Sequence, residues 1–385
     1  MTSLTVSTPG RICLFGEHQD YLGLPVIAAA ISRRIAVTAH AVTDPTVRLN
    51  LPDIGAVESF SLTPEPLPYR HDRDYFRSAV NVLRRDGFRF SGGIAGEVRG
   101  NIPINSGTSS SSALLVTWLN VLTRLADNPQ ELAPERLAEL AYRAEVLEFG
   151  EPGGMMDHYA TAVGGLIYLA TAPERQLEPI QPVEPLGTFV LGDSGESKDT
   201  VGILSRVKGG MLRMLDRLRT VDPAFALATA TVDGLDRHRA LFSADEWALL
   251  LGNLANRDLL REALTVLRAP RLDHTRLGRL LSAHQDNLRD AQRISTPKID
   301  RMLDAALAAG ALGGKINGSG GGGCMFAYAP DRADAVAEAV ERAGGRAYLI
   351  TVAPGTRCGD TRCGDTRLEL PFSGSGDGSG GRGIV

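Results

Sequence analysis

Apolar and polar positions along the chain fall into blocks whose period shifts between that of strands and that of helices. Up to about Val98, short apolar runs bounded by turn residues, such as Ile12 to Phe15, predict strands. A helix is then predicted from the serine-rich stretch after Gly107, another ending near Gly150, and a third entered at Asp157; the strand Gly165 to Ala170 closes the first half. A new strand opens the second half at Gly187. Helices follow at Gly209 to Arg219, Pro223 to Asp233, Ser243 to Arg268, His274 to Asp290 and Ile299 to Ala309. Strands return at Lys315 to Ile316, Met325 to Ala329 and Ala347 to Val352, with a helix Pro330 to Ala343 between the last two. This mixed order predicts an α+β fold.

Composition adds the number of cores. At 385 residues and 43% hydrophobic the chain can bury two, giving expected domains at 1–186 and 187–355. Residues 356–385 stand apart as a tandem repeat, TRCGDTRCGDTR, and a tail, SGSGDGSGGRGIV, too poor in apolar residues to sustain a core. The net charge of −4 comes with no basic stripe, which argues against a nucleic-acid partner. The arginines between Arg257 and Arg271 alternate with apolar residues at helical spacing and read as a solvated helix face. No apolar run reaches membrane-span length and the N-terminus lacks a signal-like segment, so a cytoplasmic protein is expected. Cys13 and Cys324 read as buried thiols in apolar strands, whereas Cys358 and Cys363 in the repeat make a poor metal site.

Four segments carry candidate chemistry. In NIPINSGTSSSSALL, Asn101 to Leu115, one glycine and a serine run lead into an apolar helix. The unsatisfied N–H groups and positive dipole end of a first helical turn attract anionic oxygens, Gly107 allows close approach, and Thr108 to Ser112 offer hydroxyls to phosphate or metal. No GK[ST] follows, which excludes a standard P-loop. Taken alone, the segment reads equally well as a serine-rich helix cap. In GRICLFGEHQDYLG, a strand ends at Gly16 and delivers Glu17, His18, Asp20 and Tyr21 at one turn, a set that suits a polyhydroxylated ligand or, more blandly, an exposed polar loop. In GGKINGSGGGGCMFAY, Gly318 to Gly323 form either a flexible turn or a backbone that must approach something closely. In AEVLEFGEPGGMMDHYATAVGG, Asp157 enters a helix after a glycine- and proline-broken stretch; its plain role is an acid interacting with the helix dipole.

Taken together and in this order, the first three segments resemble the signatures of the GHMP kinase superfamily, and most closely its galactokinase branch, from about Pro9 to Val352. The resemblance implies a two-domain fold with the active site in the cleft between N-terminal and C-terminal α/β sandwiches, ATP as phosphoryl donor and Mg2+ as cofactor. Asp157 matches the family's catalytic acid/base, with Arg11 expected beside it. Glu145 and Ser111 match its magnesium ligands. Gly107, Ser109, Ser110 and Ser111 match its phosphate loop. Arg11, Glu17, His18, Asp20, Gly154 and Asp157 match positions that contact the sugar. Tyr75 and Phe76 match an aromatic pair beside adenine, although aromatics at this spacing are more often core. Either Asp157 removes the acceptor proton or it mainly orients the sugar.

Three departures bear on the acceptor. Gln19 replaces the usual threonine and His158 the glutamine after the catalytic aspartate. Between Val190 and Gly210 the family's sugar-contacting tyrosine has no counterpart, leaving Asp193, Ser194, Glu196, Lys198 and Asp199 as polar candidates. The resemblance therefore implies a kinase of a monosaccharide, galactose as the single best guess, with the anomeric hydroxyl as acceptor and a monomer or weak homo-oligomer. A sugar that is modified or phosphorylated is an alternative, as is a sensor that binds ATP and sugar without turnover. The intact set Arg11, Ser111, Glu145 and Asp157 favours an enzyme over a sensor, and the GEHQDY cluster favours a sugar over mevalonate.

Overall fold

The computed structural model describes residues 3–104, 106–198 and 200–361. Seven strands come from the first half: β1 (Ser3–Phe15), β2 (Val26–Val42), β3 (Thr46–Leu51), β4 (Ala56–Ser61), β5 (Gly93–Gly100), β6 (Leu166–Ala170) and β7 (Gln176–Ile180). A second, four-stranded antiparallel sheet is built from β8 (Phe189–Asp193), β9 (Gly313–Ile316), β10 (Cys324–Tyr328) and β11 (Arg346–Ile350), in the order β11-β8-β10-β9. The chain then returns as β12 (Arg357–Thr361) to the edge of the first sheet, whose order is β12-β1-β2-β5-β3-β4 with β6 and β7 branching from β2. This corrects the tail boundary. Residues 357–361 of the repeat pair antiparallel with Ser3 to Ser7, because alternating side chains let even a polar segment complete an edge ladder. The remainder of the repeat, Cys363 and the tail lie outside the described residues, as does Asp199.

In the first half, α1 (Tyr75–Arg85), α2 (Ser110–Leu125), α3 (Pro134–Tyr142) and α4 (Met156–Val163) cover one face of the large sheet. The second half adds α5 (Thr200–Val221), α6 (Val232–Asp236), α7 (Ala244–Leu267), α8 (His274–Asp286), α9 (Pro297–Ala308) and α10 (Ala333–Arg342). Two predictions differ from this. Helix α1 lies in a region read as strands, since YFRSAVNVL is rich in residues that suit either state and only its burial against Trp118 decides. The expected helix Pro223 to Asp233 is mostly turns, and only Val232–Asp236 is helical, capped by the Thr231 side chain; the threonine-rich ATATVD run favours caps over helix interior.

Strands β1 and β2 explain how the halves join. Their residues alternate: Cys13, Val26 and Ala28 face the core under the N-terminal helices, while Ile12, Leu14, Ile27, Ala29 and Ile31 face a second core shared with Leu260, Leu281, Phe326 and Tyr328. Burial on both faces is why ICLF and VIAAAI read as unbroken apolar runs. Among the described residues, no helix is long and apolar enough to cross a membrane.

Candidate active site

A cavity of about 630 Å³ opens where the N-terminal helices, the turn after β1 and the β9–β10 turn converge. A bulge in β1 between Pro9 and Arg11 bends the strand toward the serine-rich loop, and Arg11 N–H donates to the Thr108 carbonyl at 3.1 Å. Gly10 has no room for a side chain here: a Cβ would lie 2.8 Å from that same oxygen.

Arg11 projects from β1 into the cavity. It donates to Asp157 Oδ1 from Nε at 2.8 Å and Nη2 at 2.6 Å, and from Nη1 to the Gly107 carbonyl. Asp157 stands in the first turn of α4, its side chain 33% exposed, so it is both paired and accessible. Burial pushes its carboxyl pKa up, but the Arg11 guanidinium and neighbouring donors outweigh this and hold it below the usual carboxylate range. The pair expected from sequence is thus formed.

The serine loop enters α2 through Ser109, which adopts a left-handed conformation (φ 59°) and makes no side-chain cap. The first-turn amides of Ser110, Ser111 and Ser112 are therefore left for a ligand. Glu145 sits on a π-helical segment, Arg143–Leu147, that follows α3 and faces this loop. Its Oε2 accepts from Ser112 Oγ at 2.7 Å and from His158 Nε2 at 2.8 Å. Burial pushes the Glu145 carboxyl up, yet these donors hold it below the ordinary glutamate range. Ser111, expected with Glu145 at the metal site, lines the cavity and its side chain also hydrogen-bonds Glu145. His158, noted only as a departure, is the residue that positions Glu145.

The turn after β1 divides its residues between two tasks. Glu17, expected to contact substrate, is 1% exposed and both its oxygens are engaged, one by Lys315 Nζ and one by the Gly318 N–H. It fastens the third segment from a position that still lines the cavity. His18 is buried, Nε2 donating to the Ser319 carbonyl (3.1 Å) and Nδ1 accepting from the Tyr21 hydroxyl (2.7 Å); burial lowers its pKa to about 4, so the ring is neutral. Asp20 packs directly over Gly154, where a Cβ would lie 1.7 Å from Asp20 Oδ2. Burial and nearby Asp157 raise the Asp20 pKa. Gln19 points away from the cavity and donates to the Asn253 carbonyl at 3.0 Å.

The glycine turn approaches the serine loop, as the density of glycines implied. Gly318, Gly320, Gly321, Gly322 and Gly323 all have positive φ. A Cβ on Gly323 would lie 2.6 Å from the Ser106 carbonyl, and Cys324 N–H donates to that oxygen at 2.8 Å. Buried Asn317 bridges all three segments, accepting from Cys13 N–H at 2.9 Å and donating to the Gly107 carbonyl at 2.8 Å. Neither Asn317 nor Lys315 stood out in sequence, since each is one polar residue in an apolar strand end and only its buried partners reveal its task. Tyr75 lines the cavity but is 5% exposed and packs on Phe149, leaving little ring face for a base. In the divergent stretch, Ser194 donates to the Gly323 carbonyl, Glu196 accepts from Thr296, and Asp193 accepts from the Gly195 N–H. Of that group Lys198 lines the cavity.

Residues 74–165 match the family model of the GHMP kinases N terminal domain, 260–346 that of GHMP kinases C terminal, and 2–41 the galactokinase galactose-binding signature. The mevalonate kinase of Thermococcus gammatolerans is 30% identical over 358 residues, covering 90% of this chain and 95% of that protein. A galactokinase of Haemophilus influenzae is 29% identical over 376 residues, covering 93% and 95%. Among solved structures, Lactococcus lactis galactokinase complexed with galactose superposes with a TM-score of 0.77 at 24% identity, covering 92% of this chain and 95% of that one. Methanococcus jannaschii mevalonate kinase gives 0.69 at 18%, covering 91% and 98%. The chain belongs to the GHMP kinase family and is, with that family, a phosphotransferase that takes an alcohol group as acceptor.

Proposed function

We propose that this protein transfers the γ-phosphoryl group of Mg·ATP to a monosaccharide hydroxyl, the anomeric one, yielding a sugar 1-phosphate. The observation that carries this reading is the ionised Asp157, held by Arg11 at one wall of a cavity whose other wall is the uncapped start of α2. The acceptor hydroxyl lies against Asp157, which takes its proton or orients it while Arg11 offsets charge on the attacking oxygen. Phosphate oxygens lie on the amides and hydroxyls of Ser109 to Ser112, with Gly107 leaving the approach open.

The residues also fit magnesium. Glu145 is ionised beside the hydroxyls of Ser111 and Ser112, a hard-oxygen set. Glu145, Ser111 and Ser112 would hold the ion, with oxygens of the bound triphosphate completing a hard-oxygen set. Magnesium, when bound, neutralises charge on those oxygens. The apolar wall of Ile35, Leu51, Ile54, Val98, Ile102 and Ile104 suits the nucleotide base better than Tyr75 does.

Sugar as the acceptor class rests on Asp20, seated over Gly154 in the cavity lining, a carboxylate suited to vicinal hydroxyls. The galactose-binding signature over residues 2–41 supports it. A second reading, mevalonate as acceptor, is favoured by the 30% identity to mevalonate kinases. The test is ADP release with Mg·ATP over galactose, arabinose, glucuronate, galacturonate, N-acetylhexosamines, phosphorylated heptoses and mevalonate, with phosphorus NMR of the product. Turnover of a sugar supports the first reading, and turnover of mevalonate alone the second. ATP binding without turnover on any acceptor overturns both in favour of a sensor.

A further inference from the structure

Three cations of the cavity and its walls are paired: Arg11 with Asp157, Arg73 with Glu151, and Lys315 with Glu17. Lys198 lines the same cavity and, among the described residues, has no carboxylate within ion-pairing distance. Its ammonium is seated against two backbones. A Cβ on Gly107 would lie 2.6 Å from Nζ, and one on Gly318 3.3 Å from it, so both glycines leave room for this side chain. Gly323 does likewise for its stem, at 2.8 Å from Cδ. The ammonium is thus lodged between the serine loop and the glycine turn. At the acceptor end, Asp20 is faced by a different cation, Lys208 of α5.

The serine loop supplies amides and hydroxyls but no lysine of its own. The terminal phosphate of a triphosphate therefore brings charge to a loop whose nearest arginine is already committed to Asp157. We propose that Lys198 is a further catalytic residue, its ammonium contacting the γ-phosphoryl group and stabilising it in flight. This rests on the phosphotransfer reading given above. In the step, the bond from acceptor oxygen to γ-phosphorus forms and the bond from γ-phosphorus to the β,γ-bridging oxygen breaks. The leaving electron pair stays with ADP, and the acceptor proton passes to Asp157 or to water. Lys198 exchanges no proton; it supplies charge where charge develops.

The test uses full-length Lys198→Met and Lys198→Arg. Calorimetric titration measures ADP and a β,γ-imido triphosphate, and kcat and KM are read on the best acceptor. Lys198→Met is expected to weaken the imido triphosphate about tenfold, leave ADP unchanged, and lower kcat by about 10²–10³-fold with any acceptor. Lys198→Arg is expected to restore part of both losses. Unchanged ADP affinity also reports that the variant is folded. Equal binding of the imido triphosphate by wild type and Lys198→Met overturns the proposal, even if no acceptor is ever turned over. A loss confined to the KM of carboxylate- or phosphate-bearing acceptors overturns it as well, and assigns Lys198 to the acceptor's anion. Wild-type silence on every acceptor, with the binding difference intact, refutes the phosphotransfer reading and leaves the γ-phosphate contact standing.

Discussion

Glu17→Gln separates a fastening role from a substrate-contacting one. The Glu17–Lys315 pair is buried at both ends, with side-chain exposures of 2% and 0%. Lys315 Nζ also donates to the Cys13 carbonyl at 2.9 Å and lies 5.1 Å from the centre of the Phe326 ring, so no water replaces the lost charge. An exposed ion pair contributes about 0–1 kcal/mol, but removing one partner of a buried pair leaves an uncompensated charge and costs about 3–5 kcal/mol. The amide can still accept from the Gly318 N–H, which places the expected loss near the lower figure, about 3 kcal/mol. Urea unfolding followed by circular dichroism reads it. Adding Lys315→Met to Glu17→Gln removes the stranded ammonium and is expected to recover about 2 kcal/mol. A single-variant loss under about 1 kcal/mol, or an acceptor KM that rises while stability holds, refutes the reasoning and returns Glu17 to the substrate.

Three further outcomes follow from the geometry. Gly154→Ala puts a Cβ 1.7 Å from Asp20 Oδ2, which forces that carboxylate aside; acceptor KM should rise about tenfold or more with ADP affinity unchanged. Steady-state kinetics beside nucleotide titration tells whether the two separate. Gln19→Thr removes a buried bond to the Asn253 carbonyl, so about 1–3 kcal/mol of stability should be lost, seen by denaturant unfolding, while the order of preference among acceptors stays the same. For pH, Asp157 is held below the usual carboxylate range, so its catalytic form persists as pH falls and its acid limb in kcat/KM should lie below the range of an ordinary aspartate. Arg11→Met leaves burial as the dominant influence on that carboxyl, and the limb should move upward; a limb that stays in place contradicts the assigned cause.

The sequence by itself determined the order of the segments and, through their resemblance to GHMP kinases, the family and the expected nearness of Arg11 to Asp157. The segments are written locally, in a glycine-serine loop before a helix and a charged turn after a strand, where residue type and spacing already dictate backbone chemistry. It also implied that the glycine run must touch something. What it touches was decided only by tertiary structure: Gly318 and Gly323 meet Gly107 and Ser106, which lie far away along the chain. The same holds for single polar residues whose partners come from distant segments. Glu17 reads in sequence as a ligand for hydroxyls, and only the structure adds Lys315 and the Gly318 N–H on its two oxygens. Gln19 looked like a substrate-wall change until its amide was found facing α7. Ser112 joins Ser111 beside Glu145, and only the position of the segment that carries Glu145 shows that both hydroxyls face it.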